Sequence, residues 1–209
     1  YGTPNYNPID ESHPLSPVNY YGYTKLLLEN NLKWFSDLNR MKYASLRYFN
    51  AAGYDLEKRI FKKEKNPQNL IPIVMETANE EREKLFVFGD DYETKDGTCI
   101  RDFIHVSDLA TAHVLALDHL LETRENLILN CGYGTGYSVR EVLVATQALA
   151  EKPLEIREAG RRLGDAAELI ANSAQIREVL SWTPAYDDLS LIIKTALDWE
   201  KRKAALNLS

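Results

Sequence analysis

The sequence predicts an α/β fold. Segments with apolar residues at helical spacing alternate with short runs rich in aromatic and β-branched residues, and the composition supplies a core to bury. Of the 209 residues, 44% are hydrophobic and 10% aromatic, spread along the chain, which excludes collagen-like, coiled-coil and disordered architectures. The length suits one large domain or parts of two.

The first helix is expected over residues 23–39, where Leu26, Leu27, Leu28, Leu32, Trp34 and Phe35 are interleaved with Lys, Glu and Asn. Residues 42–50, rich in Tyr, Phe and Leu, read as a strand running into a loop at Asn50-Ala-Ala-Gly53. A charged, proline-containing loop over 61–69 leads into a helix over 70–79 and a strand over 84–89. Asp90-Asp91 and Asp96-Gly97 are turn signals flanking an expected hairpin. Leu109, His113, Ala116, Leu117 and Leu120 mark a helix over 106–121, and a strand follows at 126–130. Ser138-Val-Arg-Glu141 is a capping box opening a helix to residue 150, because the hydroxyl and the carboxylate each satisfy an orphaned amide. A strand at 154–158 and a last helix at 189–206, with a charged end, complete the alternation. No repeat, linker or low-complexity tract interrupts it.

With 25 basic and 31 acidic residues the formal charge is −6, so nucleic acid is not an expected partner, whereas anionic small molecules remain open. Apolar runs such as 70–75 fall far short of the roughly 20 residues of a membrane span, and no membrane association is expected. Cys99 and Cys131 are too few and too far apart for a disulfide framework or zinc knuckle, and are expected as core or strand residues of a cytoplasmic protein. His13, His105, His113 and His119 show no metal-ligand spacing, so no metal is expected; His113 reads as a core histidine. Tyr1-Gly2, without an initiator Met, reads as an internal start that leaves an N-terminal portion missing.

Gly132, Gly134 and Gly136 lie between a strand and a helix. A Gly-x-Gly-x-x-Gly dinucleotide fingerprint needs its third glycine at Tyr137, so a turn-and-cap role is expected instead. Tyr21-Gly-Tyr-Thr-Lys25 places a phenol and an ammonium on one face at the start of a helix. A nearby Lys charge favours the phenolate and turns an acid of pKa about 10 into a base usable near neutrality, although the bare pattern also fits a surface pair.

Pro8-Ile-Asp-Glu11, His13-Pro14-Leu15-Ser-Pro17 and Tyr21–Lys25 together resemble the catalytic segment of the extended short-chain dehydrogenase/reductase family. Leu46-Arg47-Tyr48-Phe49-Asn50-Ala51-Ala52-Gly53 follows, then Gly97-Thr-Cys-Ile-Arg101-Asp-Phe-Ile-His105-Val-Ser-Asp108-Leu, and in this order the chain resembles the UDP-glucose 4-epimerase branch along essentially its whole length. The resemblance implies the end of a Rossmann-type NAD-binding domain, residues 1–50, interwoven with a smaller mixed α/β substrate-binding domain over 51–209 from which some segments return to the first.

It further implies interconversion of UDP-glucose and UDP-galactose by transient NAD-dependent oxidation at C4, part of galactose metabolism, with a homodimer among the assemblies it allows. Tyr21 corresponds to the base, Lys25 to its support at the nicotinamide ribose, and Tyr48 and Phe49 to residues lining the nicotinamide side. Asn50, Asn69, Leu70, Val87, Phe88, Arg101, Arg162 and Asp165 correspond to substrate contacts, the last two reaching the diphosphate and the uridine ribose. Leu169, four residues after Asp165, corresponds to a position beside the sugar's 2-substituent, where the lack of an aromatic ring implies room for an N-acetyl group.

The chain departs from the family in lacking its glycine-rich loop and its catalytic Ser or Thr, and in carrying Tyr20 where Pro is usual. Arg101 fits either a UDP contact or a salt bridge with Asp96, Asp102 or Asp108. Two alternatives stand beside the epimerase: another NAD-dependent UDP-sugar epimerase or decarboxylase of the same fold, and a non-catalytic nucleotide-sugar-binding fragment.

Overall fold

Strand β1 (Ala44–Tyr48) pairs in parallel with β5 (Leu127–Cys131), a partner far along the chain, in the computed structural model, which describes residues 1–60 and 67–205. Helix α1 (Tyr20–Asn39) covers one face of this pair and α3 (Val106–Thr123) the other. The alternation of side chains along β1 decides which residue meets which helix. Ser45 and Arg47 turn to α1, where both bond Glu29, while Tyr48 turns to α3 and meets the His113 ring at 6.3 Å. Asn19 caps α1 by accepting the Gly22 amide at 2.8 Å, so the helix starts three residues before its apolar pattern does.

A second sheet is built around β4 (Ile100–His105). Its C-terminal half pairs in parallel with β2 (Asn50–Ala52), and its N-terminal half lies between β6 (Gly136–Ser138), antiparallel, and β8 (Glu168–Leu169), parallel. The expected single strand over 42–50 is therefore two, breaking at Phe49 as the chain passes from one sheet to the other. A third pair joins β3 (Leu85–Phe88) to β7 (Ile156–Ala159) in parallel. Helices α2 (Leu70–Ala78), α4 (Val139–Gln147) and α6 (Leu189–Ala205) pack on one another through Val74, Met75, Val142, Ile192 and Ile193, all fully buried. Short α5 (Ala174–Leu180) leads to Trp182, whose indole N–H donates to the Asp108 carbonyl.

Two further expectations are corrected. The turns at Asp90-Asp91 and Asp96-Gly97 form, but no hairpin does: the segment closes on itself through the Tyr92 amide and the Gly97 carbonyl and delivers the chain to a different sheet. Asp96 there accepts from Thr98 and Ser138, fixing the turn against α4. His113 is exposed, with Nδ1 at 2.8 Å from the Leu109 carbonyl, because the inward line of α3 runs through Leu109, Ala112 and Ala116. The buried histidines are His13 and His105. Residues 61–66 of the expected loop and residue 206 of the expected last helix lie outside the described residues.

Gly53 ends β2 at φ 77°, and a Cβ there would stand 2.5 Å from the His105 ring, so the site accepts neither a side chain nor ordinary backbone angles. Among the described residues no helix is long and apolar enough to cross a membrane.

Candidate active site

The first part of the site is the start of α1. Tyr21 and Lys25 project from successive turns, with the Lys25 ammonium 5.1 Å from the centre of the Tyr21 ring. Both are exposed, Tyr21 at 69%, and beyond that contact neither the hydroxyl nor the ammonium has a partner among the described residues. One turn further, Glu29 is engaged by Arg47 and Ser45 of β1. Burial alone would push the Glu29 carboxyl upward, but the hydrogen bonds and charge of Arg47 reverse that and leave it below the usual carboxylate value. Phe49 lies on the same side, 6.4 Å from the Tyr1 ring, whereas Tyr48 is half-exposed on the α3 side.

The second part gathers around the N-terminal half of β4. Arg101 donates through Nη1 to the carbonyls of Ile100 and Ala166, both at 2.8 Å, and its Nη2 stands 3.9 Å from Asp165. None of its three neighbouring aspartates pairs with it. Asp96 is held in its turn, and Asp108 accepts from the Tyr133 hydroxyl and the amides of Ala185 and Tyr186. Asp165 also accepts from Arg162 Nε at 2.9 Å, and the Arg162 guanidinium lies 4.8 Å over the Phe88 ring. Leu169 is the register partner of Arg101 across the β4–β8 pair. Phe88, Arg101, Arg162, Asp165 and Leu169 thus converge from four separate segments.

The remaining candidates sit around this group. The Asn50 amide donates to the Asp102 carbonyl at 3.0 Å. The Val87 side chain is buried, and because the amides of Leu85 and Gly89 both donate to the β7 segment, Val87 lies in the same phase. The backbone groups that face the open edge of β3 are those of Phe86 and Phe88. Asn69 precedes α2 without capping it by its side chain, and Leu70 is the first residue of that helix. Among the described residues no hydrogen bond, ion pair or ring contact links Asn69 or Leu70 to the arginine group. Sequence reading passed over Glu29, Arg47 and Asp102; the four-residue steps from Tyr21 to Lys25 to Glu29 were the visible signal for the first.

The glycine-rich turn after β5 is organised by an internal anion. Asp102, fully buried, accepts the amides of Tyr133, Gly134 and Ala171 at 3.0, 2.9 and 3.2 Å. Its carboxylate occupies the amides that a phosphate would need, which gives this turn a structural role. Burial raises the Asp102 carboxyl above its ordinary value and pushes the Cys131 thiol, close by, up to about 12, so Cys131 is not a nucleophile at neutral pH. No group of three or more metal-ligating side chains occurs among the described residues.

Residues 1–132 match the model of the NAD dependent epimerase/dehydratase family, and the chain belongs to that family. It is 46% identical over 203 residues to the UDP-glucose 4-epimerase of Rhizobium meliloti (strain 1021), a match covering 97% of this chain and 62% of that protein. The crystal structure of UDP-glucose 4-epimerase from Brucella ovis in complex with NAD superposes with a TM-score of 0.91 at 43% identity, over 95% of this chain and 61% of that one. The UDP-Glc/GlcNAc 4-epimerase from Campylobacter jejuni gives a TM-score of 0.79 at 45% identity, covering 96% and 61%. The α/β fold with its parallel strand pairs is that of these Rossmann-type structures, and the chain spans less than two thirds of the relatives' length.

Proposed function

We propose that the full-length protein carrying this chain interconverts UDP-glucose and UDP-galactose, in galactose metabolism in the cytoplasm, with NAD as its cofactor. The observation that carries the proposal is the convergence of two guanidinium groups and an aromatic ring on Asp165, with a phenol and an ammonium otherwise unpartnered at the start of α1. Guanidinium forks suit diphosphate oxygens, and an exposed ring suits a pyrimidine face.

The exposed Lys25 ammonium and Tyr21 hydroxyl fit the ribose and nicotinamide end of NAD, with Phe49 on their side of β1 and Tyr48, turned toward α3, at the end of that strand. When bound, NAD supplies oxidation at C4 of the sugar and its reversal. Tyr21 takes the proton from the 4-hydroxyl and returns it, and Lys25 holds the nicotinamide ribose with its charge beside the phenol. Arg101 and Arg162 anchor the diphosphate while the sugar turns over, Asp165 reaches the uridine ribose, and Asn50, Asn69, Leu70, Val87 and the open β3 edge at Phe88 complete the grip. In this reading residues 1–50 end the NAD-binding domain and 51–209 form mainly the substrate-binding domain, and a homodimer is one of the assemblies it allows.

The test is product analysis of the full-length protein with UDP-galactose, UDP-xylose and UDP-glucuronate as separate substrates. UDP-glucose from the first is the expected result, and conversion of only the pentose or the uronate would move the protein to another reaction of the same fold. Tyr21→Phe should leave UDP affinity intact and reduce turnover by about a hundredfold or more, the range for loss of a positioned base. An unchanged rate would remove Tyr21 from that role.

A further inference from the structure

Tyr21, Lys25 and Glu29 occupy successive turns of one side of α1, so an ammonium stands between a phenol and a carboxylate. Helical side chains lean toward the N-terminus, which would lay an unrestrained Glu29 toward Lys25. In the structure that pair is not made. Arg47 holds both carboxylate oxygens, donating from Nε to Oε1 at 2.8 Å and from Nη2 to Oε2 at 2.6 Å, and Ser45 donates to Oε1 at 2.9 Å. The two side chains are only 13% and 18% exposed, so the carboxylate is not free to exchange Arg47 for solvent at no cost. Arg47 is itself held from behind: its Nη1 donates to the Tyr1 hydroxyl at 2.9 Å and to the Glu11 carbonyl at 3.4 Å, and Tyr1 stacks 4.9 Å from its Cζ. Lys25 has no ion pair among the described residues.

We infer that Arg47 is a positioning residue: by occupying both oxygens of Glu29 it keeps Lys25 available to Tyr21. This rests on the epimerase reading given above. Removing Arg47 would leave a half-buried carboxylate one turn from Lys25, and the new ion pair would draw the ammonium off the phenol. The inference differs from a plain structural anchor in one respect. An anchor is lost equally whichever partner is removed, whereas here deleting the Glu29 charge as well should restore Lys25.

The experiment uses the full-length protein with NAD, as wild type, Arg47→Gln, Glu29→Gln and the double variant, with thermal denaturation reporting folding in each. Arg47→Gln is expected to lower kcat by about tenfold or more with KM for UDP-galactose changed by less than about twofold. Adding Glu29→Gln should recover most of that loss, a coupling that the four proteins measure directly. Crystal structures should show the Lys25–Glu29 ion pair in Arg47→Gln and not in wild type. If Arg47→Gln does not fold, Arg47→Lys, which keeps the charge and loses the fork, takes its place in every measurement. A double variant no better than Arg47→Gln, or a released Glu29 paired with Lys33 instead, overturns the inference. Full turnover by Lys25→Met would overturn the reading of the site itself, whereas an impaired Lys25→Met beside an unaffected Arg47→Gln would overturn only the role of Arg47.

Discussion

Arg101 and Arg162 arrive at Asp165 from a strand and from a loop, and the three charges are balanced two against one in favour of the cations. The excess positive charge favours an anionic ligand. Arg101→Ala in the full-length protein should weaken UDP binding by roughly tenfold to a hundredfold, as loss of a charge-assisted hydrogen bond costs about 1.5–3 kcal/mol. Calorimetry showing unaltered UDP binding would leave Arg101 as a support for the Ile100 and Ala166 carbonyls alone. Opposite Arg101 on β8, Leu169 has a half-buried side chain without an aromatic ring. The protein is expected to accept UDP-N-acetylglucosamine at a reduced rate, and Leu169→Tyr to abolish this while sparing UDP-glucose, because the added ring would overpack the site at a cost of about 1–3 kcal/mol. Specificity constants for the two sugars decide it, and an unchanged ratio removes Leu169 from the pocket. The arginines and Asp165 were legible in sequence as residue types, and that they gather was implied only by the family resemblance, since no local pattern joins them. Asp96, Asp102 and Asp108 are closer to Arg101 in the chain, yet backbone amides and hydroxyls claim all three.

The junction of β4 and α3 shows how a short motif ties elements together. His105 accepts the Ser107 amide at Nδ1, which leaves its proton on Nε2, facing the Thr195 hydroxyl of α6 at 3.1 Å. Thr195 in turn accepts the Tyr54 amide and donates to the Ile192 carbonyl. Burial lowers the His105 value below that of an ordinary imidazole, against the opposing charges of Asp108 and Asp55. The unfolded chain therefore binds this proton more readily, so stability is full above the unfolded value near 6.5 and declines as pH falls below it. Denaturant midpoints at pH 7.5 and 5.5 should differ less in His105→Asn than in wild type, and an equal difference would assign the acid sensitivity to other groups. The long helices were readable to within a few residues because each presents several turns of apolar spacing and, for α4, a capping box. Strands β2, β6 and β8 were not, since two or three residues carry no period to detect.

The topology was the least legible layer. Strand β4 takes three partners, one from before it and two from after, and no local pattern in the sequence records such a choice. The only glycine-rich strand-to-helix turn that sequence reading had picked out wraps Asp102, so the isolated 209-residue chain is expected neither to retain NAD nor to epimerise UDP-galactose. Equilibrium dialysis and a turnover assay on that polypeptide check this, and measurable activity would sink it. The parallel bridge between Ile9 and Ala171 bears on how the molecule is made. Ile9 donates to the Ile170 carbonyl and accepts the Asn172 amide, and its carbonyl also takes the Asn130 side chain. On the ribosome the segment leading into α1 leaves the exit tunnel about 160 residues before this partner exists, a wait of roughly ten to thirty seconds at about 5–20 residues per second. During that interval the entry to the helix that carries Tyr21 has at most β1 and, once made, β5 to lean on, and lacks the backbone pairing at residues 170–172. Its final shape is therefore acquired late, by closure of a loop of about 160 residues, and a nascent chain stalled before residue 170 would present it to chaperones unfinished.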